Sequence, residues 1–465
     1  MNIAQLLFIF ALGIAIALFP VPDGLALETW RLFAVFVATI VGVILQPLPM
    51  GCIALLSLSS LIVTKTLSFE SAFSGFSSES AWLIVLAYFI ARGFIKTGLG
   101  QRISYLFMSL LGGHPIGLGF GILATDLVLA PAIPSNTART GGVVLPILES
   151  LAEIFHSKPK DPSSKRIGAY LTQVAIQGSC ITSAMFLTSM SANPLIADLS
   201  RDFGVEITWS GWAIAAAVPG LVSLAVCPFL MYLLMPPEIQ DSKNAPALAR
   251  EKLKAIGRMK RDEWTMLGVF ISTIILWAFA KEIGIKPAAS ALTGVALLLL
   301  TRVLTWDDVK KESSAWETLV WFATILMLAS QLSKQGFTDW MGEKLSHLVI
   351  GYDWKMGFLF LSLSYFYTHY FFASNLAHVT ALYATFLSIA LTIGTPPLFA
   401  ALVLGFFSSL FGALTHYTSG PAALLFGAGF VDVKAWWRAG IIASVVNLAI
   451  WMGLGAIWWG ILGIL

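Results

Sequence analysis

Ser135-Asn136-Thr137-Ala138-Arg139 and Ser374-Asn375-Leu376-Ala377-His378 are two polar pentads set in apolar sequence, and their surroundings match as well. Trp82 opens an apolar run that ends in Lys96-Thr97-Gly98, and Ser135 follows Lys96 by 39 residues. Trp321 opens a second run that ends in Lys334-Gln335-Gly336, and Ser374 follows Lys334 by 40. Downstream, Ser191-Ala192-Asn193-Pro194 corresponds to Thr418-Ser419-Gly420-Pro421, with a 12-residue difference in spacing that the charged stretch 156–166 largely accounts for. The two halves therefore read as an internal repeat. Each pentad halts one apolar run, at Pro131 and Pro134 or at Phe372, and precedes another. That pattern predicts a re-entrant helical hairpin, because irregular backbone at membrane depth is tolerated only where it is buried in protein or lines a cavity.

The medium around the pentads is read from composition. Of 465 residues, 57% are apolar and 11% charged, where a soluble domain has about 25% charged. So few charges cannot cover a soluble surface, and the apolar stretches are too long for barrel strands, so the chain reads as an all-α polytopic membrane protein. A net charge of +3 without a basic stripe implies no nucleic-acid partner. Cys52, Cys180 and Cys227 are scattered, with neither disulfide framework nor metal-ligand spacing, and no cofactor is implied. Spans are expected near 3–20, 29–46, 50–66, 80–97, 103–130, 168–190, 210–235, 264–283, 286–303, 318–333, 354–372, 396–414 and 438–463. The stretch to Phe19 lacks a positive n-region and a cleavage site and reads as the first span. With no Ser/Arg-rich transit peptide, a bacterial inner membrane is favoured over a plastid precursor, a mature plastid inner-envelope form staying open.

The organisation that follows is an N-terminal span (1–28), a first repeat (29–235) with its hairpin near 131–137, an amphipathic linker (236–263) and a second repeat (264–465) with its hairpin near 372–378. The segment from Pro236 to Trp264 holds seven Lys/Arg and five Asp/Glu. The loops His156 to Arg166 and Thr305 to Ser314 lie an even number of spans away, which puts all three on one side, cytoplasmic by the positive-inside rule. An odd number of spans separates the two repeats if one irregular piece is re-entrant, so they are expected to be inverted. Matched, Gly/Pro-interrupted polar segments in two membrane halves are the signature of a secondary transporter. No H-E-x-x-H, nucleophile elbow or paired carboxylate suggests an enzyme.

Serine and asparagine suit a helix start, where their oxygens cap free N–H groups. Each helix N-terminus carries roughly +0.5 charge. Two of them with one fixed cation, Arg139, give about +2, which balances a dicarboxylate. His378 holds the place of Arg139 in the second repeat, and an ionisable residue inside a membrane segment is a site candidate by default. The competing reading pairs Arg139 with a buried carboxylate, for which Asp126, nine residues before Ser135, is available. For His369 and His416 two readings stay open, a site role and a hydrogen-bonded structural histidine. Arg92 and Lys96 end a span and are expected to snorkel. Trp436, Trp437, Trp451, Trp458 and Trp459 read as interfacial belt or packing. The stretch 246–260 is expected to lie along the membrane surface.

At these motifs the chain resembles, over its whole length, the divalent anion:sodium symporter family. PSNTARTGGVVLPI, HYFFASNLAHVTALYATFL and LTHYTSGPAALLFGAGF are most similar to the branch of plastid 2-oxoglutarate/malate translocators and bacterial citrate/succinate and tartrate/succinate exchangers. The resemblance implies a homodimer with a scaffold domain and a transport domain that moves as an elevator. It implies that Ser135, Asn136, Thr137, Ser374 and Asn375 hold substrate carboxylates. It also implies that Ser191, Ala192, Asn193 and Pro194, with Thr418, Ser419, Gly420 and Pro421, complete cation sites and touch substrate in sodium-coupled members. The chain departs from the pattern at Leu376, where the second motif has Thr, and lacks the Asn after the proline of the second loop. Both departures argue against sodium as a coupling ion, and the expected function is exchange of C4/C5 dicarboxylates, with a sodium-coupled dicarboxylate or citrate symporter as the alternative. Substrate and membrane lipid are the expected partners.

Overall fold

The computed structural model describes residues 3–346 and 353–465; positions 347–352 lie outside the described residues. Every regular element among the described residues is helical. Numbering helices of seven or more residues, the first half holds α1 (Ile3–Leu18), α2 (Leu27–Leu45), α3 (Met50–Val63), α4 (Glu79–Thr97), α5 (Leu99–Leu111), α6 (Pro115–Leu129), α7 (Leu145–Ile154), α8 (Gly168–Met185), α9 (Ala192–Arg201) and α10 (Trp209–Leu234). The linker contributes α11 (Asn244–Ile256). The second half holds α12 (Arg261–Ala278), α13 (Pro287–Leu300), α14 (Ser313–Lys334), α15 (Phe337–Ser346), α16 (Trp354–Tyr367), α17 (Ala384–Thr392), α18 (Pro397–Leu410), α19 (Gly420–Gly427), α20 (Val433–Ala449) and α21 (Gly455–Ile461).

Among the described residues, six helical stretches, Leu27–Leu45, Glu79–Thr97, Trp209–Leu234, Ser313–Lys334, Asn375–Thr392 and Val433–Ile461, are long and apolar enough to cross a bilayer. The expected single span near 103–130 is corrected to two helices, α5 and α6. Gly112 and Gly113 break the run, and His114 restarts it by accepting the Ile116 N–H on Nδ1 (3.2 Å), with Pro115 in the first helical turn, where a missing N–H costs nothing.

The chain forms two compact units, each drawing on both sequence halves. The first unit comprises Met1–Leu86, Ala192–Thr208 and Glu312–Gly405. Its core joins Leu32, Leu58 and Leu61 to Met327, Leu328 and Leu332, and Phe33 stacks on Phe337 at 4.4 Å. The second unit comprises Ala87–Ser191, Trp209–Lys311 and Phe406–Leu465. Here Trp212, Trp451 and Trp459 surround Phe406, and the Trp451 Nε1–H donates to Ser223 Oγ (3.0 Å), the Trp459 Nε1–H to Ala215 O (2.9 Å). Of the two readings of these tryptophans, packing is the one observed for Trp451 and Trp459, both buried.

Two of the polar loops are tied together in the second unit. The Glu238 N–H donates to Lys165 O (3.1 Å), tying 156–166 to 236–264. Arg102 grips Glu263 (Nε to Oε1, 2.5 Å), and Lys96 pairs with Asp308 at 2.6 Å, so Lys96 has an ionic partner in addition to its interfacial position. Helix α11 packs along α5, burying Ala245 and Ala249.

Candidate functional site

In the second unit the first tip begins where α6 stops at Leu129. Residues 130–134 are irregular, which would leave carbonyls without partners, but Thr188 Oγ1 donates to Pro131 O (2.9 Å) and Arg139 Nη1 donates to Ile133 O (2.9 Å). Ser135 is extended and caps the turn Asn136–Arg139, its Oγ accepting the Ala138 N–H (3.1 Å). Asn136 Oδ1 accepts the Thr137 N–H (2.9 Å). A π-helical turn, Thr140–Val144, carries the chain into α7. Residues Ser135 to Ala138 are half-exposed while both flanks are buried, so the polar tip is the accessible part of the hairpin.

The loop Thr418–Pro421 completes this tip. Ser419 caps α19, its Oγ accepting the Ala422 N–H (3.3 Å) and donating to Gly412 O (2.7 Å), while Thr418 Oγ1 donates within the same turn. Helix α19 packs against the tip turn so closely that a Cβ on Gly420 would stand 2.1 Å from Thr137 Oγ1. Only glycine permits that approach. Two helix N-termini are thereby held side by side, with the Asn136 and Gly420 N–H groups making no hydrogen bond among the described residues. Together they carry roughly +1 charge beside a set of free donors, the electrostatic setting that favours an anion.

The second tip, in the first unit, repeats the local structure. Ser374 is extended and accepts the Ala377 N–H (3.4 Å), the turn Asn375–His378 follows, and a π-helical turn, Val379–Tyr383, leads into α17. Ser374 is half-exposed; Asn375 and Leu376 are buried, the latter giving an apolar wall where Thr137 offers a hydroxyl in the first tip. Helix α9, which begins with Ala192, Asn193 and Pro194, packs on this π-turn, and Ser200 Oγ shares a hydrogen bond with Tyr383 Oη (2.8 Å). Ser191 closes the segment that precedes α9. Each tip is thus completed by the loop from the opposite half of the chain.

Arg139 is not a free cation at the tip. It is fully buried, its Nε bonds Asp126 Oδ1 at 2.9 Å, and its Nη atoms donate to Ile133 O, Ser189 O (2.6 Å) and Ser183 Oγ (3.1 Å). Asp126 also accepts from Thr182 Oγ1. The expectation that Arg139 supplies uncompensated charge is therefore corrected: Asp126 neutralises it, and its donors brace irregular backbone instead. His378 is also enclosed, its Nδ1 2.9 Å from Nδ1 of the equally buried His369, with Phe372 stacked on it at 4.7 Å. His416 Nδ1 accepts the Trp437 Nε1–H (3.2 Å), a hydrogen-bonded structural contact.

The fold and its capped, interrupted helices define a polytopic α-helical membrane protein with two built polar tips. The profile of the sodium:sulfate symporter transmembrane region matches residues 1–465, and the chain belongs to that family. It is 49% identical to YflS of Bacillus subtilis (strain 168), a proposed malate transporter, over 100% of this chain and 97% of that one. It is 46% identical to the chloroplastic dicarboxylate transporter 1 of Arabidopsis thaliana, covering 99% of this chain and 84% of that one. The citrate/succinate antiporter of Escherichia coli (strain K12) is 34% identical over 94% of each chain.

Proposed function

We propose that this protein is a secondary transporter that exchanges C4/C5 dicarboxylates, such as 2-oxoglutarate, malate, succinate and fumarate, across a bacterial inner membrane without altering them chemically. The observation that carries the reading is the first tip, where two capped helix N-termini meet at Thr137 and Gly420 with free N–H donors exposed. One carboxylate would be held there by Ser135, Asn136, Thr137 and the Thr418–Pro421 loop; Ser374 and Asn375, at the second tip, are proposed as carboxylate ligands in their own unit. Relatives named for malate, dicarboxylates and citrate/succinate antiport support the substrate class.

Exchange follows from the donors. An empty tip carries a helix-terminal partial charge and unsatisfied N–H groups, each costing roughly several kcal/mol in hydrocarbon. Reorientation is then fast only with an anion bound, which couples the exit of one dicarboxylate to the entry of another. On the same reading the repeats are inverted, the protein is a homodimer, and the tips move as an elevator. The family's sodium:sulfate symporter description favours one alternative, sodium-coupled uptake on the same fold. Proteoliposomes loaded with unlabelled malate should take up labelled 2-oxoglutarate with no sodium present. Equal uptake by empty vesicles, or a strict sodium requirement, rejects exchange in favour of that alternative.

A further inference from the structure

Away from the tips, helices α1, α2 and α3 of the first unit enclose a groove of about 490 Å³. Its walls are apolar, with Ile9 and Phe10 from α1, Ala38 from α2 and Leu56 from α3. Phe10 is 48% and Leu56 42% exposed, so the groove is open at its side. Its hydroxyls are satisfied within the protein: Thr39 Oγ1 donates to Val35 O and Ser57 Oγ to Ile53 O, and Thr64 Oγ1 donates to Ser60 O while contacting Thr66 Oγ1 (2.8 Å). One charged group lines the groove, Arg31, which stands exposed near the start of α2. Arg31 makes no hydrogen bond or ion pair among the described residues, Glu28 one turn earlier included.

The arrangement has one cationic end and an apolar length. From Arg31 to Gly42 the groove follows α2 for roughly 16 Å, the depth of one leaflet of a hydrocarbon core about 30 Å thick. A two-fold copy of this chain laid on the same surface would bring a second arginine into it with no counter-charge. We propose that the groove is a phospholipid site: an acyl chain lies along α2 between α1 and α3, and the lipid phosphate is held by Arg31, with a preference for lipids of net negative charge.

Native mass spectrometry of protein extracted from vesicles of equimolar phosphatidylglycerol and phosphatidylcholine tests this. Wild type should retain phosphatidylglycerol in preference to phosphatidylcholine. Arg31→Gln should reduce bound phosphatidylglycerol about fivefold, the factor expected for one basic residue at a lipid surface. Leu56→Trp, which fills the groove from an exposed position, should lose both lipids while Arg31 stays in place. Retention of the same lipid by both variants as by wild type overturns the proposal. So does efficient disulfide-linked dimer formation in membranes by Leu56→Cys in a Cys52→Ser background, which would show that a second copy covers the groove.

Discussion

Arg139 decides between two readings that the sequence leaves open, because what matters is where Asp126 sits, and a distance between two interrupted helices is not written in residue order. With Nε on Asp126 at 2.9 Å and Nη donors on Ile133 O and Ser189 O, the guanidinium holds the irregular run 130–134 and the turn after α8 in place. Removing one partner of a buried pair typically costs 3–5 kcal/mol because the other charge is left without compensation. Arg139→Ala and Asp126→Ala should each lower stability by about that amount. Thermal unfolding in detergent measures it, and the double variant Asp126→Leu/Arg139→Met should recover most of the loss. An unchanged melting temperature in Arg139→Ala, with transport abolished, would return Arg139 to the role of substrate cation.

The helices and tips differ in how much of them was readable in advance. Ser135 and Ser374 were, since a polar pentad that stops one apolar run and starts another has few structural uses, and both do cap a helix start. The break at Gly112-Gly113 is masked in the sequence, because the residues on either side are apolar enough to read as one span. The partnership of Thr137 with Gly420 had no local signal at all; it arises because α19, from the opposite half, packs on the first tip. Residue order places Lys96 at an interfacial helix end but not beside its partner: it joins α4 to the short helix Trp306–Lys311 through Asp308. The Lys96 ammonium, at 2.6 Å, outweighs partial burial and with Thr305 holds the Asp308 carboxyl well below the usual carboxylate range. A depressed carboxylate stabilises the fold above its ordinary value and loses that contribution as pH falls. Asp308→Asn should therefore cost about 1–2 kcal/mol at pH 7, and the difference from wild type should shrink below about pH 4. Melting curves at both pH values check it, and a pH-independent difference would assign the effect to packing.

The chain as a whole spends its 11% of charged residues sparingly. Many lie in the polar loops 156–166, 236–264 and 305–314, while the buried Arg139 is neutralised by Asp126. Positive potential for an anion then comes from helix N-termini, whose partial charges need no counter-ion to be built into an apolar surrounding. The central claim is that a dicarboxylate is carried on the paired N-termini at Thr137 and Gly420. Labelled 2-oxoglutarate uptake into sodium-free, malate-loaded vesicles, with wild type and Gly420→Ala compared at equal reconstituted protein, tests it most directly. A Cβ at position 420 must displace Thr137 or the start of α19, and exchange should fall by roughly tenfold or more while the protein elutes and melts as wild type does. Exchange by Gly420→Ala at the wild-type rate would contradict the account.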